Sequence, residues 1–350
     1  MICSMLRRGL AIGALLCLMV VGTGSAAFAA DLDGPSLSFV RLGLKPETSE
    51  VRITSADGSG SQVIVGGGLH AGVLPYPFSD LAWTPDGSKV VFSGARESLH
   101  REPVPRRQWL YVSDREAGTI QAIPGTRGAR SPVMAPDGRT IAFVRVKHGF
   151  WRRADGKRRQ WYRTSLWLVA IDGSELRRIR PWRSEGGENP ESFSPDGRTL
   201  LIMRGQGHVV AINKRGRELG VVARGAWDPV YSPDGSAIAL IRLGEESERP
   251  EVEVDLFVMN VDGSGETQLT ETPGWELSPS WDPSGQRIAF QRRLNDESVL
   301  LGMDFGDSIL QINADGTCSS RIFSSPGAGA AYVHPTWRPG PGREAGPIVC

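Results

Sequence analysis

Short runs of alternating apolar and polar residues, bounded by glycine, proline or aspartate, recur along almost the whole chain. Leu81-Ala82-Trp83 leads into Thr84-Pro85-Asp86-Gly87, and Val90-Val91-Phe92 follows. The same order returns as Pro132-Val133-Met134, Ala135-Pro136-Asp137-Gly138 and Ile141-Ala142-Phe143. It returns around Pro195, Pro233 and Pro283, and in degenerate form at Pro335-Thr336-Trp337-Arg338-Pro339-Gly340. The turn prolines recur every roughly 40 to 60 residues, as a repeat architecture requires. Alternation with a period of two predicts strands. Between them, proline fixes φ at the first corner, aspartate bonds the turn backbone and glycine accepts positive φ. Each unit therefore opens with a β-hairpin.

A second strand pair follows each hairpin. Leu166–Ile171 turns at Asp172-Gly173 into Glu175–Ile179, and Leu256–Val261 turns at Asp262-Gly263 into Glu266–Thr270. Weaker versions start at Leu110, Val209 and Ile309. Four strands per unit with no helix between units predicts an all-β propeller. Leu37–Arg41 matches the second strand of a unit, Val51–Val65 supplies two outer strands, and Thr336–Arg338 supplies an inner one. The expectation is a six-bladed β-propeller of four-stranded antiparallel blades, its ring closed by N- and C-terminal strands sharing one blade, which removes free edges. Pro347–Cys350 competes with Leu37–Arg41 for the second-strand place.

Composition sharpens this picture. The chain of 350 residues carries Gly 43 and Pro 24, which argue against a helical bundle. Lys+Arg 40 against Asp+Glu 39 leaves +1, which argues against a nucleic-acid partner. Arg7 and Arg8, the apolar run Gly9–Val21 and the small residues Ala27 and Ala29 read as a cleaved signal peptide over 1–29. The apolar run is shorter than the about 20 residues that span a bilayer. Residues 30–350 then form a single exported domain, periplasmic or extracellular, with no transmembrane anchor. Cys3 and Cys17 leave with the leader. Cys318 and Cys350 are the disulfide candidates, either bridged or left as two thiols. A bridge would close a loop of about 32 residues, worth about 3–4 kcal/mol.

The Ser-Pro-Asp-Gly turn, the Ile-Ala-Phe strand and the later Asp-Gly turn resemble the TolB-type propeller repeat of the WD-like superfamily, over roughly residues 37–342. That resemblance implies a β-propeller in the cell envelope that binds proteins. The stretch from Lys147 to Arg163, with Arg153-Ala154-Asp155-Gly156, is similar to a long hairpin in the propellers of prolyl-oligopeptidase-type peptidases. Those enzymes carry catalysis on a separate α/β-hydrolase domain, and no segment here reads as one.

Candidate chemistry is sparse. No Gly-x-Ser-x-Gly sits on a strand-to-helix elbow, so no serine nucleophile is assigned. His334 precedes an inner strand at a position where side chains reach the channel, and Asp80, Ser131, Pro190, Asp228 and Ser278 are its equivalents. His334, Asp80 and Asp228 would form a polar ring for a cation or polar ligand, or simply a solvated mouth. Arg41, Arg145, Arg204, Arg242 and Arg292 share a second repeat position. They would ring an anion, or pair with acids on neighbouring blades. Residues 145–163 hold eight Lys/Arg against Asp155, interleaved with aromatics. Trp151, Arg152, Arg153, Trp161 and Tyr162 are the binding candidates there. Glu245–Asp255 is acidic by six to one. The reading is an exported, non-catalytic, monomeric binding or scaffold module with a protein partner, a possible anionic ligand, and no cofactor or metal. The alternative is a propeller enzyme, a carbohydrate lyase or hydrolase, with a metal or acid site in the channel.

Overall fold

The computed structural model describes residues 34–43, 49–66, 73–75, 80–96, 108–152, 158–183, 187–243, 253–272, 274–293, 307–324, 330–340, 343 and 345–350. The expected leader over 1–29, Arg153 and most of the acidic run (245–252) lie outside the described residues. Among the described residues every regular element is a strand, and no helix is long and apolar enough to cross a membrane.

The chain opens with β1 (Ser36–Gly43), β2 (Glu50–Ser55) and β3 (Gln62–Gly66). β4 (Val73–Pro75), β5 (Ala82–Trp83), β6 (Lys89–Arg96), β7 (Trp109–Asp114) and β8 (Thr119–Ala122) follow. Next come β9 (Ala129–Met134), β10 (Thr140–Arg152), β11 (Arg158–Ala170) and β12 (Arg177–Arg178). Then come β13 (Glu188–Phe193), β14 (Thr199–Arg204), β15 (His208–Asn213) and β16 (Glu218–Arg224). β17 (Ala226–Tyr231), β18 (Ala237–Leu243), β19 (Val254–Asn260) and β20 (Thr267–Gln268) precede β21 (Trp275–Trp281), β22 (Arg287–Arg293), β23 (Asp307–Asn313) and β24 (Ser319–Ser324). β25 (Ala330–Trp337) is last.

The hydrogen bonding corrects the expectation of six four-stranded blades. Among the described residues the strands form five sheets, three of them four-stranded. β17 to β24 make one eight-stranded sheet, because a parallel bridge between Val254 and Trp275 joins β19 to β21. β4 to β8 make a five-stranded sheet, because β4 and β5 both pair with β6. Neither junction follows from a repeat pattern, since each depends on where a connecting segment happens to run. The last strand of the chain, β25, pairs antiparallel with the first, β1 (Leu37 opposite Trp337), ahead of β2 and β3. The tail 345–350 therefore forms no strand in that sheet.

Apolar side chains from facing sheets make the core. Phe39, Phe92, Phe143 and Phe290 are fully buried at one repeat position, each contributing about 1.5–3 kcal/mol of burial. The Pro-Asp-Gly turns pack on one another as well. A Cβ at Gly138 or Gly235 would press on Pro85 or Pro195 (3.3 and 3.2 Å), and one at Gly197 or Gly285 would reach Pro136 or Pro233 at ordinary contact (3.5 Å). Gly87, at φ +67°, lies against the Pro339 carbonyl and so joins the first such turn to the last. There the buried Arg338 also donates from Nε to the Gly87 carbonyl at 2.7 Å.

The tail is tied to β22 and β23. The Arg287 guanidinium donates to the carbonyls of Ala345 (2.7 Å), Pro347 (3.2 Å) and Gly346. Asn313 exchanges two hydrogen bonds with the Ile348 backbone, at 3.0 and 2.7 Å. Cys318 and Cys350 are disulfide-bonded, their Cα atoms 5.4 Å apart.

Candidate functional site

The inner strands β5, β9, β13, β17, β21 and β25 surround a channel whose cavity measures about 530 Å³. Its mouth is shaped by a recurring defect. Ser131, Asp228, Ser278 and His334 hold φ of 49°, 48°, 51° and 54°, and each precedes a proline. A non-glycine residue in this left-handed region costs about 1–2 kcal/mol. At each of these places the ladder to the neighbouring strand shifts register, as a β-bulge does. Proline supplies no N–H, so the inner strand can break its ladder there, and all four residues line the channel or contact those that do.

The mouth is a connected polar cluster. His334 Nδ1 lies 3.2 Å from Asp80 Oδ1 and 3.2 Å from Ser278 Oγ. The Ser278 N–H donates to Asp228 Oδ2 at 2.9 Å, and Ser131 hydrogen-bonds Asp80. Of the residues singled out in the sequence, His334, Asp80 and Asp228 are thus brought together. Glu191 joins them and was not anticipated. Counting along the repeat points to Pro190 as the equivalent place, but the third repeat inverts the order, with proline first and the acid after it. The shift in pairing between Pro190 and Ser192 leaves Glu191 lining the channel. The visible signal was an acid in a slot that holds proline or leucine in the other repeats.

Electrostatics divide the cluster. Burial works against charge on Asp80, but the hydrogen bond and charge of His334 outweigh it and hold this carboxyl below its ordinary range. Burial likewise disfavours the His334 cation, and the Asp80 hydrogen bond, the Asp80 charge and the Asp228 charge overcome it, raising the imidazole. Asp228 is raised by burial, with the Ser278 N–H and His334 opposing and Asp80 adding to the rise. Glu191 is pushed well above the carboxylate range by burial and by the charges of Asp228 and Asp80. A bound cation would relieve that repulsion. Among the described residues no group of three His, Cys, Asp or Glu side chains is set to hold a metal ion.

The arginines are not gathered into a ring. Arg204 engages Glu188 (3.0 Å) and Glu218 (2.6 Å), Arg242 engages Glu266 (2.8 Å), and Arg292 engages the fully buried Glu276 (2.6 Å). Arg41 lies 3.9 Å from Glu50. Arg145 donates to the Gly125 carbonyl and sits 4.2 Å over the Trp167 ring. Glu50, Glu188 and Glu276 stand directly across from their arginines in the strand registers, so these acids belong to the same sheet and not to a neighbouring one. In the long β10–β11 hairpin, Tyr162 is 60% exposed, while Trp151, Arg152 and Trp161 are placed by backbone register.

No family model matches the chain. It is 20% identical over 226 residues to the uncharacterized peptidase YuxL of Bacillus subtilis, covering 62% of this chain and 30% of that one. It is 35% identical over 96 residues to the Tol-Pal system protein TolB of Anaeromyxobacter dehalogenans, covering 26% of this chain and 20% of the relative. The matches thus span under a third of these relatives' own lengths. Among solved structures, TolB from Acinetobacter baumannii superposes with a TM-score of 0.63 at 18% identity, covering 87% of this chain and 67% of that one. At that identity the likeness is one of fold.

Proposed function

We propose that this TolB-like β-propeller, which in part also resembles the propellers of peptidases, is a non-catalytic binding module of the cell envelope whose channel mouth receives a basic side chain or amine of a protein partner. The observation that carries the reading is the cluster of Asp80, Glu191, Asp228 and His334 lining one cavity, with Asp228 and His334 held there by bulged, left-handed backbone. Strain of this kind is retained where a side chain must point a particular way. Relatives named as Tol-Pal proteins support the envelope setting, and the reading of 1–29 as an export leader agrees with it. Lysine-bearing and uncharged peptides, titrated against the fluorescence of the channel-lining Trp83, Trp281 and Trp337, test the proposal. Binding should prefer lysine and weaken about tenfold or more when Asp80→Asn and Asp228→Asn are combined. Equal binding of both peptides would refute it.

A second reading has one observation behind it. Burial and the charges of Asp228 and Asp80 push Glu191 well up, while Asp228, raised by burial, is opposed by the Ser278 N–H and His334, and two acids whose values are driven apart can serve as acid and base. Turnover of an oligosaccharide that is lost in both Glu191→Gln and Asp228→Asn would favour this enzyme over the binding module.

A further inference from the structure

Charge is unevenly divided around the ring. Residues 127–225 hold 21 Lys/Arg against 9 Asp/Glu, whereas 226–350 hold 8 against 19. The boundary falls between β16 and β17, so the two sheets from β9 to β16 are basic and the strands from β17 onward are acidic. In a chain whose total is +1, segregation of this size creates two sectors of opposite sign.

The same boundary carries exposed apolar side chains. Residues 217–221 are all exposed, and among them Leu219 (48%) and Val221 (43%) stand on β16, the strand of its sheet farthest from the channel. The exposed places of the other outermost strands are mostly polar, as at Thr119 and Gln121 in β8, Thr267 and Gln268 in β20, and Ser319 and Arg321 in β24. Across the boundary, Val261 (43%) opens the stretch 261–268, every residue of which is exposed. The two stretches meet, since a Cβ at Gly263 would lie 3.4 Å from the Val222 carbonyl. Leu219, Val221 and Val261 are thus all within three residues of one contact.

Charges flank them on both sides. Arg215 and Arg217 bracket Gly216, which packs on the Ile179 carbonyl and so brings them beside Arg178. Among the described residues none of these three guanidinium groups is paired with an acid. On the far side, Asp234 and Asp262 accept only from N–H and hydroxyl groups of their own turns. Glu266 stands nearby and engages Arg242 at 2.8 Å.

We infer that this rim is the contact face of a two-fold dimer, its occupant a second copy of the chain. A two-fold axis laid along the boundary turns the basic half of each copy onto the acidic half of the other, and brings the apolar side chains of both copies together. Arg215 and Arg217 of each copy then meet Asp262 and Glu266 of the other. A partner of a single sign fits less well, since one half of the face would attract it and the other repel it. The face lies at the outer end of the sheets, so the dimer leaves the channel free and stands whatever the channel binds. It departs from the monomer that the sequence led us to expect.

The test is sedimentation velocity on the full mature chain, across a range of concentrations at low and high salt. The wild type should pass from monomer to dimer as concentration rises, and go no further. Salt at about 0.5 M should raise the dissociation constant about tenfold or more. Arg215→Glu/Arg217→Glu and Asp262→Lys/Glu266→Lys should each be monomeric, because each sets like charges across the axis twice. Mixed in equal amounts, the two variants should recover the dimer, since both contacts regain opposite signs. Leu219→Ser/Val221→Ser, which alters only exposed side chains, should weaken association about tenfold. A wild type monomeric at every concentration, a mixture of two folded variants that fails to recover, or growth beyond two copies would each overturn the inference. Lysine-peptide binding should be equal in the monomeric variants and the wild type, so the failure of either reading is distinguishable from that of the other.

Discussion

Removing the disulfide should loosen the closure between the two chain ends more than the rest of the molecule. The bridge joins Cys318 to Cys350 across a sequence separation of 32, and β25 lies inside that loop. In the oxidised chain the closing strand is pinned at both ends; in the reduced chain it can peel from β1 and carry the tail with it. A loop of this length removes about 12 cal/mol/K from the unfolded ensemble, or about 3.7 kcal/mol at 25 °C. For a chain of this size that corresponds to a fall in Tm of about 5 °C. The Arg287 and Asn313 contacts to the tail remain in the variant and oppose part of the loss. The assay is Cys318→Ser/Cys350→Ser beside the wild type, followed by calorimetry and by hydrogen exchange resolved to peptides. Tm should drop by about 3–6 °C, with exchange accelerated in β1 and β25 before it rises in β14 or β18. An unchanged Tm, or acceleration spread evenly over all sheets, would show that the bridge does not guard the closure.

Other outcomes follow from single side chains. Gly87→Ala should cost about 2–4 kcal/mol, because a Cβ there meets the Pro339 carbonyl in a left-handed backbone; chemical denaturation reads it, and a loss below that of an exposed turn glycine would contradict the packing. Arg292→Ala should cost about 3–5 kcal/mol by stranding the buried Glu276, and Glu276→Gln in the same chain should recover much of it. Glu191 and His334 both have raised values in the fold, so each contributes stability at low pH that is lost as pH climbs through those values. The Tm of the wild type minus that of Glu191→Gln should therefore shrink as pH rises from the ordinary carboxylate range past neutrality, and a growing difference would reverse the sign of the reasoning. Affinity for a lysine peptide should rise over the same range, since both deprotonations free negative charge at the mouth.

The repeat was legible because its turn chemistry is local: proline, aspartate and glycine act within a few residues of one another. Asp86, Asp137, Asp196 and Asp234 each accept from the backbone N–H two residues on, as their positions foretold. The number of sheets was not legible, because one bridge at Val254 and Trp275 decides whether eight strands are one sheet or two. Cross-strand register was equally hidden. Aligning repeats put the five arginines in one column, but the acids Glu50, Glu188 and Glu276 stand before or after their arginines without a common offset and show only once strands are paired. Glu191 was missed for a related reason, since alignment by number carries a residue past a bulge that the backbone does not respect.

The two ends of each inner strand differ in the way this division suggests. At the turn end, the glycine of one repeat packs on the proline of the one before it, and the aspartates are spent on backbone N–H groups. Nothing there is strained that glycine does not relieve. At the opposite end, Ser131, Asp228, Ser278 and His334 hold a left-handed backbone that glycine would adopt more easily. A solvated rim needing no particular side chains could have used glycine at all four places. That polar side chains stand there instead, bonded to one another or to Asp80 and sharing the cavity with Glu191, is what makes the mouth the place to look for a partner and not an incidental gap between sheets.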